Sequence, residues 1–417
     1  MHIGTIADDL TGATDIAGFL ANGGLDVVQF MGVPDTPPPQ ADATVVSLKS
    51  RSIPARDAAD VSLAAQRYLA AAGCEQYYFK YCSTFDSTAK GNIGPVTDAL
   101  MNALGADFAI VCPSLPANKR TVKDGILLVD NVPLAETGMR HHPVNPMTES
   151  DLIKLMEMQS KGKAGLVKLA TVRAGAKAVA DDLARLRAAG NRYAVMDAVT
   201  DADLDVIAEA VHDMPLLTGG SGLGESRAKE IVKRLGRPAG AAKRVAIPCG
   251  KAAVLSGSCS EMTNRQVAFY KNKAKNLKVA VKRCVDSPDA YAEELADWAV
   301  DNAGGEWAPI LYATVGKEEL ASIQKEFGDR VSPAIEELFS KLSALLHRRG
   351  IERFIVAGGE TSGSVSGALP AKAFRLGAEI APGVPWIRGV DDSLCLALKS
   401  GNFGDETFFV KAQELMA

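Results

Sequence analysis

The sequence lacks the features of membrane, secreted and nucleic-acid-binding proteins. No apolar run reaches the roughly 18 residues that a membrane helix needs. The first ten residues include Asp8 and Asp9 instead of the basic residues of a secretory signal, so we expect a cytoplasmic protein. The 46 basic and 50 acidic residues are spread without long runs of one sign, which argues against a nucleic-acid partner.

Clusters of metal-binding or disulfide-forming residues are also absent. The seven cysteines stand singly without any CxxC pair, so we predict neither a disulfide framework nor a zinc site. Among the five histidines only His141 and His142 are adjacent, and two neighbouring loop histidines seldom chelate an ion without further ligands. We therefore predict no metal site built from the protein's own residues.

Two common nucleotide-binding motifs are missing. The chain contains neither the GxxxxGK[ST] motif of P-loop proteins nor the GxGxxG motif of dinucleotide-binding folds, and the GGSGLG segment at 219–224 has the wrong spacing. A nucleotide would therefore need a less common phosphate-binding turn.

The 417 residues are more than one ordinary hydrophobic core can organise, so the length favours two domains. Short apolar runs alternate with helical-period segments, a pattern typical of mostly parallel sheets covered by helices. The predicted strands are His2–Asp8, Asp26–Met31, Thr44–Leu48, Gln76–Tyr81, Phe108–Cys112, Gly165–Leu169, Tyr193–Asp197, Pro215–Thr218, Ala252–Gly257, Leu277–Val281, Pro309–Tyr312, Arg353–Ala357, Leu394–Lys399 and Thr407–Val410.

The predicted domain boundary lies in the segment 236–243, GRPAGAAK, whose glycine, proline and alanine residues are typical of a linker. Residues 1–235 then form an N-terminal domain and residues 244–417 a C-terminal domain. The predicted fold class is α/β, with two domains that each contain a mostly parallel sheet and an active-site cleft between them.

Ligands of open α/β sheets bind beyond the carboxyl ends of the strands, and four N-terminal segments, including residues 112–121, place polar residues there. Asp8 and Asp9 end the first strand. Asp9 could simply cap the next helix, but two adjacent carboxylates also suit hydroxyl binding or proton abstraction. Arg51 could bind a carboxylate bidentately. Lys80 ends a predicted strand and precedes a hydroxyl-rich turn that contains Asp86.

Helix starts and glycine turns offer candidate anion sites in both halves of the chain. In the N-terminal half, backbone N–H groups near Gly94 begin a helix predicted from Ile93 to Leu104. In the C-terminal half, glycine-containing turns at 256–260, 357–364 and 399–405 each follow a predicted strand, and three such turns favour phosphate binding. Glu360 could hold Mg²⁺ through water.

These segments together resemble the four-carbon acid sugar kinase family. The motifs that carry the resemblance are ADDLTGA at 7–13, KSRS at 49–52, STFDSTAKGNIGP at 83–95, LSGSCS at 255–260, GGETSG at 358–363 and SGNFGD at 400–405. Within the family, the STFDST form and the LGAEIAPGVPW run at 376–386 are most similar to the 3-oxo-tetronate kinases.

The resemblance implies an N-terminal domain that binds the acid sugar, a C-terminal domain that binds ATP with Mg²⁺, and phosphoryl transfer to the C4 hydroxyl. It implies a small-molecule substrate, and a homodimer is the base-rate expectation. The residues implied for ATP are Ser258, Gly358, Gly359, Glu360, Thr361, Ser362, Gly363 and Gly401, and those implied for the substrate are Asp8, Asp9, Arg51, Lys80 and Asp86.

Several alternatives remain open from the sequence. The general base is Asp86 or Asp9, since both follow predicted strands. The substrate could be threonate or erythronate instead of a 3-oxo-tetronate. A nicotinamide-dependent dehydrogenase of acid sugars is the rival enzyme, although the missing GxGxxG motif counts against it. A two-domain solute-binding protein without catalysis is the third alternative.

Overall fold

The structure is a computed structural model of the chain. It describes residues 2–85, 88–141, 146–238, 240, 244–390 and 394–416. The chain folds as two compact units, an N-terminal unit of residues 1–243 and a C-terminal unit of residues 244–417. Within the predicted linker, residues 239 and 241–243 lie outside the described residues.

The N-terminal unit alternates strands with helices. Its strands are β1 (Ile3–Ala7), β2 (Val27–Met31), β3 (Ala43–Ser47), β4 (Gln76–Lys80), β5 (Ala109–Val111), β6 (Arg120–Lys123), β7 (Ile126–Val129), β8 (Val132–Pro133), β9 (Lys163–Val167), β10 (Asn191–Met196) and β11 (Leu216–Gly219). Its α-helices are α1 (Leu10–Asn22), α2 (Ala55–Ala71), α3 (Ile93–Ala103), α4 (Leu152–Gln159), α5 (Leu169–Arg173), α6 (Ala176–Ala188), α7 (Asp201–Ala210) and α8 (Ser221–Arg234).

Five parallel strands form the main sheet of this unit, in the order β11-β4-β1-β3-β2. The central strands β1, β3 and β4 are buried along their whole length, as expected for parallel strands covered on both faces. The register pairs Ala7 with both Ser47 and Lys80. The three strands therefore end side by side, and the segments that follow them begin at one sheet edge.

Two smaller sheets complete the N-terminal unit. Strands β5, β10 and β9 pair in parallel, and β6, β7 and β8 form an antiparallel meander that the sequence patterns did not predict. Asp197, fully buried after β10, ties the segments together because its carboxylate accepts the backbone N–H groups of Asp124, Gly125 and Leu169 at 2.9 to 3.0 Å.

The C-terminal unit has the same alternation. Its strands are β12 (Ala252–Ser256), β13 (Asn276–Lys278), β14 (Ile310–Tyr312), β15 (Arg353–Ala357), β16 (Ala373–Ala381), β17 (Val384–Gly389) and β18 (Cys395–Lys399). Its α-helices are α9 (Glu261–Tyr270), α10 (Val281–Asp286), α11 (Pro288–Asn302), α12 (Lys317–Phe327), α13 (Val331–Arg348), α14 (Gly359–Ala368) and α15 (Phe408–Glu414).

The strand order in the C-terminal unit is β16-β17-β18-β15-β12-β14-β13. Strands β18, β15, β12, β14 and β13 run parallel, whereas β17 is antiparallel to both β16 and β18. Ala357 pairs with Ser256 on one side and with Lys399 on the other. Three neighbouring strands therefore end together, each directly before one of the glycine turns.

The predicted fold class, two α/β units with mostly parallel sheets covered by helices, is confirmed. One predicted strand is wrong, because Thr407–Val410 belongs to the start of α15, where Phe408 and Phe409 pack into the core of the C-terminal unit. Two adjacent aromatic residues gave the segment a strand-like composition, and burial of both rings on a short helix overrides it. In the described part of the chain, no helix is long and apolar enough to cross a membrane.

We expect Asp197→Ala to lower the free energy of unfolding by about 3 kcal/mol, because three buried N–H groups lose their acceptor. Asp197→Asn keeps one acceptor oxygen and should cost less than the alanine variant. Asp213→Ala, a change at an exposed carboxylate, is the control. Urea unfolding followed by circular dichroism measures the series, and equal stability of all three variants would contradict this role for Asp197.

Candidate functional site

In the N-terminal unit, Arg51 holds both carboxylates that follow β1. Its Nε and Nη2 atoms donate to the two oxygens of Asp8 at 3.0 and 2.8 Å, and Nη2 also donates to Asp9 at 2.6 Å. The side chain of Asp8 is 4 % exposed, and those of Arg51 and Asp9 are each 22 % exposed. Arg51 thus binds a carboxylate of the protein itself bidentately, and its role towards the substrate stays a prediction.

The two carboxylates have opposite pKa shifts although they share one arginine. Burial raises the pKa of Asp8 above its usual value, and the charge of Arg51 offsets only part of this effect. Burial also acts on Asp9, but Arg51, Lys80 and two hydrogen bonds together outweigh it and lower the pKa. Asp9 is therefore the more firmly charged carboxylate, and Asp8 holds a proton more readily.

Asp9 is also the N-cap of α1, as the alternative interpretation of the sequence allowed. Its carboxylate accepts the backbone N–H of Gly12 at 2.9 Å and the hydroxyl of Thr11 at 2.8 Å. The helix begins at Leu10, directly after this cap. The carboxylate of Asp9 caps the helix and pairs with Arg51 at the same time, so neither role excludes the other.

Lys80 lies beside this pair with its side chain buried. Its amine donates to the carbonyl of Tyr81 at 2.9 Å and lies 3.9 Å from Asp15, a buried carboxylate on α1 that accepts the hydroxyl of Ser221. The amine also lies against Gly12, where an added Cβ would be only 3.0 Å from the lysine nitrogen. The first turn of α1 thus needs a glycine for Lys80 to approach it.

The hydroxyl-rich turn after β4 is described only in part. Asp86, a predicted catalytic and substrate-binding residue, lies outside the described residues together with Ser87. Asn92, at the entry to α3, donates to the backbone carbonyls of Ser50 and Arg51. This amide therefore fixes the backbone that carries the arginine.

The predicted anion site near Gly94 is wrong. The backbone N–H of Gly94 donates to the side chain of Gln159 at 3.0 Å, and an added Cβ would lie 2.7 Å from the Gln159 Cβ. Because α4 covers this part of the α3 entry, the N–H of Gly94 is already satisfied.

In the C-terminal unit, the three glycine turns contact one another beyond β12, β15 and β18. The backbone N–H of Ser258 donates to Ala357 at 3.1 Å, and that of Gly358 donates to Lys399 at 2.9 Å. An added Cβ on Gly401 would lie 2.7 Å from the hydroxyl of Ser258. All eight predicted ATP residues lie within 257–260, 358–363 and 400–401. Five of them, residues 359–363, form the start of α14.

The second turn leads into α14, and its backbone requires glycine. Gly358 has a φ of +126°, and its added Cβ would lie 3.0 to 3.3 Å from Thr361 and Ser258. Gly359 and Glu360, at the start of the helix, are exposed. The side-chain oxygen of Ser362 is buried and has no hydrogen-bond partner among the described residues. These features suit a phosphate group at the positive end of the helix.

A buried lysine next to the third turn was not singled out from the sequence. Lys399 ends β18 with no exposed surface, and burial lowers its pKa to about 7. The recognisable signal was the one that identified Lys80, a lysine as the last residue of a buried strand. Asp15 was also missed, and its signal is a single acidic residue within the apolar helix α1.

The protein's own side chains offer few ligands for Mg²⁺. Within the described residues, no three His, Cys, Asp or Glu side chains are placed to hold a metal ion. Glu360 is an exposed carboxylate on the turn that suits phosphate. Such a set fits a magnesium ion held mainly by phosphate and water oxygens.

Two protein families match the chain, one in each half. Residues 3–227 match the family described as a sugar-binding N-terminal domain, and residues 253–409 match the family described as a nucleotide-binding C-terminal domain. The chain is thus a two-domain protein with a sugar-binding half followed by a nucleotide-binding half.

Three named relatives are about half identical to the chain over most of its length. The chain is 50 % identical over 418 residues to a 3-oxo-tetronate kinase of Brucella melitensis, covering 100 % of this chain and 96 % of that protein. It is 51 % identical over 418 residues to the Salmonella typhimurium 3-oxo-tetronate kinase, covering 99 % of both. It is 52 % identical over 386 residues to the Escherichia coli K12 enzyme, covering 92 % of this chain and 99 % of that one.

Two solved structures have the same fold at 50 % sequence identity. A Salmonella typhimurium LT2 protein matches with a TM-score of 0.92, covering 100 % of both chains, and a Haemophilus influenzae protein matches with a TM-score of 0.83, covering 99 % of this chain and 100 % of the other. The chain belongs to the four-carbon acid sugar kinase family, and the family predicted from its motifs is confirmed.

We expect Gly358→Ala to lower the melting temperature, since a side chain at a φ of +126° costs about 1–3 kcal/mol. Gly359→Ala is the matched control, because it adds the same methyl group one residue later, where nothing lies within 4 Å. That variant should melt at or slightly above the wild-type temperature, since alanine favours helix. Scanning calorimetry compares the two, and equal melting temperatures would contradict the strain assigned to Gly358.

Proposed function

We propose that this chain is an ATP-dependent kinase that phosphorylates a 3-oxo-tetronate at its C4 hydroxyl and releases ADP. The observation that carries the proposal is full-length identity of about half to enzymes named 3-oxo-tetronate kinases. The kinase class predicted from the sequence is confirmed by these names, which also favour a 3-oxo-tetronate over threonate or erythronate.

The reaction forms a bond between the C4 oxygen of the acid sugar and the γ-phosphorus of ATP, and breaks the bond from that phosphorus to the β,γ-bridging oxygen. The hydroxyl proton passes to a carboxylate base. Phosphoryl transfer depends mainly on positioning and charge stabilisation, so the protein must hold both ligands and supply the base. The predicted cleft in which the ligands meet stays a prediction.

The acid sugar is assigned to the edge beyond β1, β3 and β4. Arg51, Lys80 and the carboxylates of Asp8 and Asp9 provide charged donors and hydroxyl acceptors there, as four-carbon acids require. Arg51 and Lys80 already contact protein acceptors, so we infer that they orient the carboxylates and attract the acid as well. The individual roles stay predictions.

The nucleotide is assigned to the turns at 257–260, 358–363 and 400–401. Three observations support this assignment: the convergence of the turns, the glycine conformation at Gly358 and the buried hydroxyl of Ser362. Glu360 would help to hold Mg²⁺ with the phosphates, and the ion would neutralise charge on the transferred group.

Two further predictions concern the environment of the enzyme. We infer a cytoplasmic location, where ATP is available, and the seven free cysteines are in keeping with a reducing compartment. A homodimer stays the base-rate prediction, and light scattering coupled to size-exclusion chromatography would measure the mass.

A coupled assay for ADP release tests the proposed function with a panel of 3-oxo-tetronates, threonate and erythronate. We expect a 3-oxo-tetronate to give the highest kcat/KM and the product to carry its phosphate on C4, as read by phosphorus–proton NMR. A preference for threonate or erythronate would overturn the substrate. Absence of ADP with every acid, together with absence of ATP binding by calorimetry, would overturn the kinase. Oxidation of an acid with NAD would favour the rival dehydrogenase.

The general base is tested with Asp86→Asn and Asp9→Asn. Replacing the true base should lower kcat about 10²- to 10⁴-fold with a smaller change in substrate affinity. Asparagine at position 9 can still cap α1, so the variant removes charge without removing the cap. Asp181→Asn, at an exposed residue on α6, is the control. Near-normal turnover of both test variants would exclude both residues as the base.

A further inference from the structure

The amine of Lys399 connects the third glycine turn, at residues 400–401, to α9 by hydrogen bonds. It donates to the carbonyl oxygens of Gly401 at 2.8 Å and Ser400 at 3.1 Å, and to the hydroxyl of Thr263 on α9 at 3.0 Å. The Thr263 hydroxyl itself donates to the Gly401 carbonyl at 2.7 Å. One amine and one hydroxyl thus converge on the same backbone carbonyl.

The same helix holds the rest of the segment and the first glycine turn. Gln266 on α9 donates to the carbonyls of Phe403 and Asp405 at 3.0 and 2.9 Å. Ser260, the N-cap of α9, donates to the Thr263 hydroxyl at 3.0 Å. The hydrogen bonds of Lys399 therefore belong to a network that fixes the third turn relative to the first.

All of the hydrogen-bond acceptors of Lys399 are neutral. Within the described residues it forms no ion pair, and its other close partner is the ring of Phe408, whose centre lies 5.9 Å from the amine. The charged or titratable side chains on the elements packed around it are Cys259, Glu261, Arg265, Tyr270, Arg353, Glu360, Arg388, Cys395, Asp405, Glu406, Lys411 and Glu414. Two pairs among these neutralise each other, namely Arg265 with Glu261 and Lys411 with Asp405.

A fully buried ammonium without a counter-ion is costly, and hydrogen bonds to neutral oxygens compensate only partly. The lowered pKa of about 7 reflects this cost, and burial is its cause. The location explains why such a charge is useful. Gly401, whose carbonyl the amine holds, lies against Ser258, so the charge sits directly behind the turns assigned to the phosphates.

We propose that Lys399 is a positioning residue of the nucleotide site: its ammonium fixes the Ser400–Gly401 turn on α9 and provides a buried positive charge that the phosphates of a bound nucleotide neutralise. This inference rests on the proposed function, because it needs a nucleotide at these turns. It adds Lys399 to the residues assigned to the nucleotide site. Lys399 acts there by fixing the position of the Ser400–Gly401 turn and by its charge.

Binding of a polyanion should raise the pKa of Lys399, so nucleotide binding and protonation are linked. Below a pH of about 7 the free protein already carries this proton, and binding takes up none. Above that pH the lysine of the free protein is largely neutral, so binding must draw a proton from solution. Nucleotide affinity should therefore fall as the pH rises above about 7.

Isothermal calorimetry with magnesium and ADP tests the linkage at about pH 8. This is one unit above the pKa of Lys399 in the ligand-free protein. Enthalpies measured in Tris and in HEPES give the number of protons exchanged. The terminal phosphate of ADP is fully ionised there and contributes no proton. We expect wild-type protein to take up roughly half a proton or more on binding.

Lys399→Met should abolish this proton uptake and weaken ADP binding roughly ten- to hundredfold, the range for losing one charge-stabilised interaction. Lys411→Met is the matched control, since that lysine is 47 % exposed, follows the same segment and pairs with Asp405. The control should keep the uptake and an affinity within about twofold of wild type. A purely structural role for Lys399 would weaken binding without proton uptake by the wild type.

The outcomes separate this inference from the function on which it rests. Normal ADP binding by the wild type without proton uptake would overturn the inference and leave the kinase intact. Absence of any ADP binding by the wild type would overturn both. If Lys399→Met does not fold, the wild-type measurement alone decides, because proton uptake at this pH requires no variant.

Discussion

Both units depend on one constraint: a charged side chain that ends a buried strand must be stabilised inside the protein. Lys80 ends β4 and Lys399 ends β18, and both amines turn back to donate to the carbonyl of the following residue. In the N-terminal unit, carboxylates balance the positive charge. In the C-terminal unit, Lys399 has only neutral acceptors among the described residues. A charge left without a counter-ion is expected where an anionic ligand binds.

Parallel pairing brings these residues together. The register places Ala7 beside Ser47 and Lys80, so segments far apart in sequence begin at one edge of the sheet. The same geometry sets Ser256, Ala357 and Lys399 side by side in the C-terminal unit. Each unit thus collects its functional side chains at the carboxyl ends of its strands, where ligands of open α/β sheets bind. The sheet holds the strand ends rigidly, and the turns that follow carry the groups assigned to ligand binding.

Several features were predictable from the sequence because they depend on local patterns. Alternation of apolar runs and helical periods predicted the parallel strands, and glycine-rich turns after strands predicted the segments around Gly358 and Gly401. The meander β6–β8 was missed although its turns carry a local signal, since Asp124-Gly125 and Asp130-Asn131 form two-residue hairpin turns with positive φ at each residue. The helix at Phe408 was mistaken for a strand because burial of two aromatic rings, not local preference, decides its conformation.

The sequence alone determined the fold class and the family, because long ordered motifs and hydrophobic periodicity are properties of the chain itself. The tertiary structure decided which groups meet. Arg51 forks Asp8 instead of standing free for a ligand, and Gln159 occupies the backbone N–H of Gly94 that the sequence offered to an anion. The full burial of Lys399 and the neutrality of its hydrogen-bond partners are likewise set by the tertiary structure. Burial, partners and pKa arise from contacts between distant residues, which no local pattern records.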